Sequence, residues 1–459
     1  PLYTMLAHAF TWLPFGSVAW RVNLFSAVCG ATSAVLLFLI LDRWLKNKPA
    51  AIIAAGLFAF SPLVWRFSIQ AEVFALNNVI VCLLIYFATR FYEDKTNPNL
   101  TLKWLCAGAF AFGLGVSHHH TIIFVALPLL FWALTQISFK WLGTGKNIFK
   151  ILGSFFLGTL PYVYLPIVAA QMPIVTWGNA ATWNGFWTHF FRKEYGTFQL
   201  GQRATDETHR LTHFFDGMVR YFSELPTEYM YIFWIVAVLG FYHAIKTRGF
   251  KNVSGFVCSA LIFYLVIFHL LANLPFKHMQ SGSLFLDVHR RFWILPNLMV
   301  ALGIGLGLDF IFKKWIHSHK VAISIAIAVL VLQVGLNYEK SDQSKNKTFY
   351  LFAKNSLDAL PQNALFLSRG DLQTNTVRYV QFCENHRQDV ILLDRTLLTY
   401  AWMKPLVQKH FPSVIIPGEL YKPGLPGGYD LKTLLDANKD RFNIFVTKLN
   451  LPDFPAQDS

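Results

Sequence analysis

Charge is what this sequence has least of. Only 14% of its 459 residues are Asp, Glu, Lys or Arg, where a soluble domain carries about a quarter. That scarcity goes with 54% hydrophobic residues, 44 phenylalanines and a mean hydropathy of +0.40. Together they exclude a water-soluble protein over most of the chain and point to a polytopic membrane protein. Cysteine pairs are missing as well. Of five cysteines, four lie in apolar runs and only Cys383 lies in a long polar region. With no C-x-x-C pair, neither a zinc site nor a disulfide framework is indicated. No G-x-G-x-x-G or G-x-x-x-x-G-K-[ST] stretch occurs, so nothing points to a nucleotide. Ionisable residues are almost absent from mid-span, which argues against a channel or proton pump.

What is present is a series of apolar runs. Ten spans are expected, at about 18–42, 50–66, 73–91, 102–117, 120–139, 148–170, 229–245, 254–273, 291–312 and 321–337. The formal net charge is +15, but many of the cations sit in short loops such as "DRWLKNK", "KTRGFKN" and "KKWIHSHK". Alternate loops all belong to this basic set, which marks the cytosolic side rather than a nucleic-acid partner. The other loops are mostly longer and richer in Trp, Pro, Gly and acids, including a large one at about 171–228. Both ends then lie opposite the cytosol. Of three N-x-S/T triplets, at Asn99, Asn252 and Asn346, only Asn346 lies on the glycosylated side. From about residue 338 the runs shorten. "NALFLSR", "DVILLD", "SVIIP" and "FNIFVTK" read as strands with helical stretches between them, a small α/β domain over 338–459.

The polar clusters all fall on the non-cytosolic side. In "SPLVWRFSIQAEVFALNN", Glu72 opens a span, with Asn77 and Asn78 inside it and Arg66 as a candidate partner. Glu72 either favours a helix N-terminus or faces a cavity. In "LGVSHHHTIIF", three adjacent histidines point in different directions and do not suit metal chelation. His119 and His120 are expected to face a cleft, with His118 as the solvated corner. The loop from Pro173 to Gln199 carries Trp177 and Trp183, then Arg192 and Tyr195. It reads as a carbohydrate-like surface or as an amphipathic helix on the bilayer. The basic pair beside Tyr195 suits a lipid phosphate. In "FKHMQSGSLFLDVHRRFW", Arg290 and Arg291 run against the positive-inside bias and call for an anionic ligand, unless they only pair with Asp287.

Five stretches in order carry a family resemblance: "PLYTMLAHAFTWLPFGSVAWRVNLFSAVCGA", "WRFSIQAEVFALNN", "GLGVSHHHT", "TWNGFWTHFFRKEYGTF" and "LSRGDLQTNTVRYVQFCE". Together they resemble the protein O-mannosyltransferases that modify IPT domains of plexins and related receptors. These are endoplasmic-reticulum enzymes of the GT-C class. The resemblance implies a multi-pass GT-C-like body over 1–337 and a luminal C-terminal α/β domain, truncated at its end. It implies dolichyl-phosphate mannose as donor, its lipid in a lateral groove between spans. The acceptor would be a Ser or Thr hydroxyl on a folded IPT domain, and no cofactor or metal is implied. In that setting Arg290, Arg291, His119, His120, Arg192 and Tyr195 would hold the phosphate and sugar, with Trp177 and Trp183. The catalytic acid expected in the first luminal loop would lie upstream of residue 1. That leaves Glu72 as a supporting acid and the chain as given expected to be inactive. Two other readings remain: a non-catalytic polyprenyl-phosphate transporter or scaffold of the same fold, or a prokaryotic-type glycosyltransferase using an undecaprenyl carrier.

Overall fold

The structure, a computed structural model, describes residues 1–138, 145–193, 209–273 and 282–447. They form two compact units. The first holds Pro1–Leu165 and Phe190–Asp342, the second Pro166–His189 and Gln343–Ser459. The expected boundary at 337 thus shifts by a few residues. Part of the tryptophan loop belongs with the C-terminal domain.

The first unit is helical. In chain order it comprises α1 (Leu2–Phe10), α2 (Val18–Leu45), α3 (Lys48–Ala59), α4 (Pro62–Ser68), α5 (Phe74–Glu93), α6 (Pro98–His118), α7 (Ile123–Leu134) and α8 (Gly145–Gly158). Helices α9 (Tyr164–Ala170) and α10 (Trp183–Phe190) lie at the unit boundaries. Then follow α11 (Arg210–Glu228), α12 (Phe233–Arg248), α13 (Val253–Ala272), α14 (Gly282–Trp315) and α15 (His319–Ser341). Among the described residues, α2, α5, α6, α13, α14 and α15 are each long and apolar enough to cross a membrane. Three bent pairs raise the number to nine: α3 with α4 at 64°, α8 with Leu160–Ala170 at 44°, and α11 with α12 at 107°. The chain is a polytopic helical membrane protein. The expected span at 120–139 is shorter than foreseen, because the apolar helix there is only His120–Leu134.

The helix starts follow from the loops. Asn47, Asn97, Asn252 and Ser318 each close a short basic loop, and each side chain accepts from a backbone N–H of the next helix. Such caps satisfy orphan donors that hydrocarbon cannot. The expected loop at 171–228 instead contains α10 and the whole of α11. Gly217, Tyr221 and Leu225 recur every four residues along the buried face of α11, the mark of an amphipathic helix. Close approach of helices relies on glycine. A Cβ at Gly240 of α12 would overlap the backbone of Gly303 and Gly307 in α14, and one at Gly307 would overlap the Val236 carbonyl.

The second unit contains a parallel sheet of β1 (Leu365–Ser368), β2 (Ile391–Asp394) and β3 (Ile444–Val446), in the order β2-β1-β3. Leu365 pairs with both Ile391 and Ile444. With it are α16 (Thr348–Asp358), α17 (Asp371–Cys383), α18 (Met403–His410) and α19 (Leu431–Asn438). Strand β1 is buried throughout, as a central parallel strand must be. Leu365, Leu367 and Leu393 share one core with Leu406 of α18 and Leu434 of α19. Phe366 and Leu392 share another with Leu357 of α16 and Val377 of α17.

Three of the four expected strands are present. "SVIIP" is not a strand, although Val414 and Ile416 are buried. The fully buried Asn438 takes the place of a partner strand. Its amide accepts from Ile415 N–H and donates to the Ile415 carbonyl, both at 2.8 Å. Asn438→Ala would strand both backbone groups. The expected cost is about 2–4 kcal/mol, read as a lowered melting transition of this unit. An unchanged transition would show that water substitutes for the amide.

Candidate functional site

Glu72 lies in the short stretch between α4 and α5. Its position follows from the break between α3 and α4. Pro62 and the turn before it leave backbone groups without helical partners. Three side chains from distant helices take them up. Glu228 Oε2 accepts from Leu63 N–H at 3.0 Å. Gln333 Nε2 and Asn337 Nδ2 donate to the Phe60 carbonyl at 3.1 and 3.2 Å. Gln333 also donates to the Glu228 carbonyl at 3.2 Å, so α11, α15 and the break form one clamp.

From that clamp the chain carries Glu72 to Arg291 of α14. Glu72 Oε1 lies 3.6 Å from Arg291 Nη1, with the side chains 33% and 38% exposed. The pair is half open, so a ligand can reach it. Arg66, the partner considered from sequence, lies instead against the Phe67 ring at 5.7 Å.

The histidine corner closes on the same place. His118 Nε2 donates to the carbonyl of Val73, next to Glu72, at 2.8 Å. Its ring stacks on Tyr3 at 6.3 Å, and its Nδ1 is buried with no hydrogen-bond partner among the described residues. The expectation that His118 is the solvated corner is therefore overturned. His119 packs against Phe74 at 5.7 Å and Phe292 at 6.0 Å, and these two rings meet at 5.5 Å. Phe292 follows Arg291 directly, so His119 sits behind the ion pair. Its Nδ1 is 2.6 Å from Thr121 Oγ1. His120 turns away, its Nε2 3.1 Å from the Tyr162 hydroxyl and its ring near Phe190. Arg192 lies close enough for its charge to act on His119.

Tyr3 is a site neighbour that sequence reasoning missed. Its hydroxyl is 3.0 Å from Ser26 Oγ. Burial raises the phenol above its ordinary value, Ser26 opposes this, and the Glu72 carboxylate adds to the rise. Arg21 fixes α1 in place by donating to the carbonyls of Thr11 and Leu13.

Arg290 departs from expectation. Its guanidinium makes a two-pronged pair with Glu224 of α11, both contacts at 2.8 Å, and a third with Asp287 at 3.0 Å. Two carboxylates therefore occupy Arg290, and Arg291 is left to face Glu72. Glu224 was missed from sequence, although its i,i+4 spacing from Arg220 is a helix ion-pair signal, and the two are 2.6 Å apart.

Trp177 and Trp183 belong to the second unit. Trp177 meets Tyr400 edge-on at 5.9 Å. Trp183 is 77% exposed and meets Trp187 edge-on at 5.5 Å. Tyr195, Lys277 and His278 lie outside the described residues.

An apolar groove of about 490 Å³ runs along α2, α3 and α4. Gly30, Ala34 and Gly56 line it with Leu330 of α15, and it ends at Trp65, Ser68 and Ile69, just before Glu72 in the chain.

Residues 1–141 match the family model described as the Protein O-mannosyl-transferase TMEM260 N-terminal domain. Over 456 residues, 96% of the chain, it is 36% identical to Protein O-mannosyl-transferase TMEM260 of Mus musculus. The chain is similar in sequence to the TMEM260 O-mannosyl-transferases. It is also 30% identical, over an alignment of 503 residues and its whole length, to Protein O-mannosyl-transferase tmem260 of Dictyostelium discoideum. It covers 63% of the mouse protein and 59% of the Dictyostelium one, so it spans about three fifths of these TMEM260 relatives.

Proposed function

We propose that this chain is the membrane part of a protein O-mannosyltransferase. It uses dolichyl-phosphate mannose and transfers mannose to a Ser or Thr hydroxyl of a folded domain of the IPT type, in the lumen of the endoplasmic reticulum. The observation that carries this reading is the half-open Glu72–Arg291 pair against the histidine corner, in a relative of the TMEM260 proteins.

The chemistry fits that arrangement. Transfer from a lipid phosphate makes the phosphate a leaving group, which needs a cation more than a strong acid. Arg291 supplies a planar donor fork suited to phosphate, and Glu72 orients it. His119 and Arg192 extend the polar wall, and His120 is held one residue further off by Tyr162. The groove beside α2 to α4 is lined mostly by apolar side chains, which suits a polyprenyl tail. In this reading Glu72 supports the reaction by holding Arg291 in place.

The test is transfer itself. A chain extended to the length of its relatives, given dolichyl-phosphate mannose and a purified IPT domain, is expected to mannosylate that domain. Donor binding without transfer would favour the non-catalytic transporter reading. An undecaprenyl donor used in preference would favour the prokaryotic one.

The orientation has its own check. Asn346 is exposed in its Asn-Lys-Thr triplet. Asn252 is engaged as a helix cap, accepting from Ser254 N–H at 2.9 Å. Endoglycosidase treatment is expected to shift the protein on a gel, and Asn346→Gln is expected to abolish the shift. A glycan on Asn252 would reverse the membrane orientation.

A further inference from the structure

A second cavity lies away from the Glu72–Arg291 pair. It measures about 970 Å³ and opens between two helix hairpins, the α2–α3 corner and the α14–α15 corner. These corners are the loops "DRWLKNK" and "KKWIHSHK", two of the short basic set. Its walls carry Arg43, Lys46, Lys48 and Lys313, with His317 and His319.

Two carboxylates, Asp42 and Glu93, also reach the cavity, but Glu93 is taken up by Arg43. The guanidinium contacts both Glu93 oxygens, at 2.5 to 3.2 Å. Lys313 pairs with Asp309 at 2.7 Å. Lys46 and Lys48 have no carboxylate within ion-pair distance among the described residues, and both are exposed. Two helix N-termini add to the same field. Lys48 and Pro49 open α3 and His319 opens α15, and neither first turn contains an acid to offset its dipole. Cations, two helix N-termini and a concave shape together suit a phosphate better than a carboxylate or a neutral sugar.

The depth of the cavity selects its source. Trp315 ends α14 at 61% exposure beside these cations. An exposed Trp with lysines at helix ends marks the boundary between membrane and water. Basic pockets between spans at that depth take the headgroups of anionic lipids.

We propose that this cavity binds an anionic phosphate group, presented by a bilayer lipid headgroup, on the face that carries the short basic loops. The site is separate from the Glu72–Arg291 pair and does not depend on the enzyme reading.

The test uses the detergent-solubilised full chain and follows its melting temperature. The probes are dioctanoyl phosphatidylinositol 4-phosphate, inositol 1,4-bisphosphate without acyl chains, and dioctanoyl phosphatidylcholine. The anionic lipid is expected to raise the melting temperature in a saturable way, and phosphatidylcholine is not. Lys46→Gln with Lys48→Gln is expected to weaken the half-saturation concentration by roughly ten- to thirtyfold, two surface cations at their usual worth near a charged headgroup. The same two changes at the exposed Lys146 and Lys150 are expected to leave it within threefold. Equal stabilisation by the soluble bisphosphate would keep the phosphate site and reassign its ligand to a free phosphate ester. No saturable shift with either anion would overturn the proposal, as would equal weakening in the Lys146 and Lys150 control.

Discussion

Arg291→Ala, made in a chain as long as its relatives, is expected to lower kcat/KM for mannose transfer by about 10²–10³-fold, with most of the loss in kcat. Negative charge on the departing phosphate builds as the sugar–oxygen bond breaks, and removing one positioned donor from such a site costs about that much. Arg291→Lys should recover part of the rate, since it keeps the charge but loses the planar fork. Glu72→Gln keeps the shape of the side chain and removes the ion pair at 3.6 Å. It should fall between the two, because it frees Arg291 to wander. The neighbouring arginine gives the contrast. Arg290 is held by Glu224 and Asp287, so Arg290→Ala should act on stability, by about 1–2 kcal/mol given its partial exposure, with KM nearly unchanged. If Arg290→Ala abolished turnover at an unchanged melting temperature while Arg291→Ala did not, the two arginines would have to exchange roles.

Gly307→Val is expected to prevent the first unit from folding. The added Cβ would overlap the Val236 carbonyl of α12. Backbone cannot move aside as a flexible side chain can, so the two helices would have to separate. The cost is about 3 kcal/mol or more, and membrane helices have little hydrophobic drive to draw them back together. The readout is loss of the monodisperse peak in size-exclusion chromatography. Gly335→Ala in α15 is the matched control, since no atom lies within 4 Å of its Cβ position. It should change stability by less than about 0.5 kcal/mol. A monodisperse Gly307→Val protein would mean that the α12–α14 contact adjusts where the structure shows no room.

The class of the molecule was legible because lipid imposes it. Where water is absent every backbone group must bond within the chain, so apolar runs and capped corners betray the spans. Polar residues on one side of the bilayer were legible for the same reason. Glu72, His118, His119 and Arg291 stood out against hydrocarbon, and the fold brings them to one place, while His120 turns away to Tyr162. Which arginine is free was not legible. That depends on Glu224, which sits 66 residues before Arg290, on a helix hidden inside an apparent loop. The role of His118 was hidden likewise, because its partner is the Val73 carbonyl and a carbonyl carries no side-chain signature. "SVIIP" failed as a strand because Asn438 supplies a hydrogen-bond partner that no local pattern announces.

The clamp at the α3–α4 break has a consequence for how the protein is made. Phe60 and Leu63 leave the ribosome long before the groups that satisfy them. Glu228 comes more than a hundred and fifty residues later, and Gln333 and Asn337 arrive only with the last long helix of the first unit. Until then the bend that carries Glu72 to Arg291 has open backbone groups in a medium that penalises them. The Glu72–Arg291 corner is therefore a late product of biosynthesis. A nascent chain arrested before residue 333 would hold its earlier spans and lack its site.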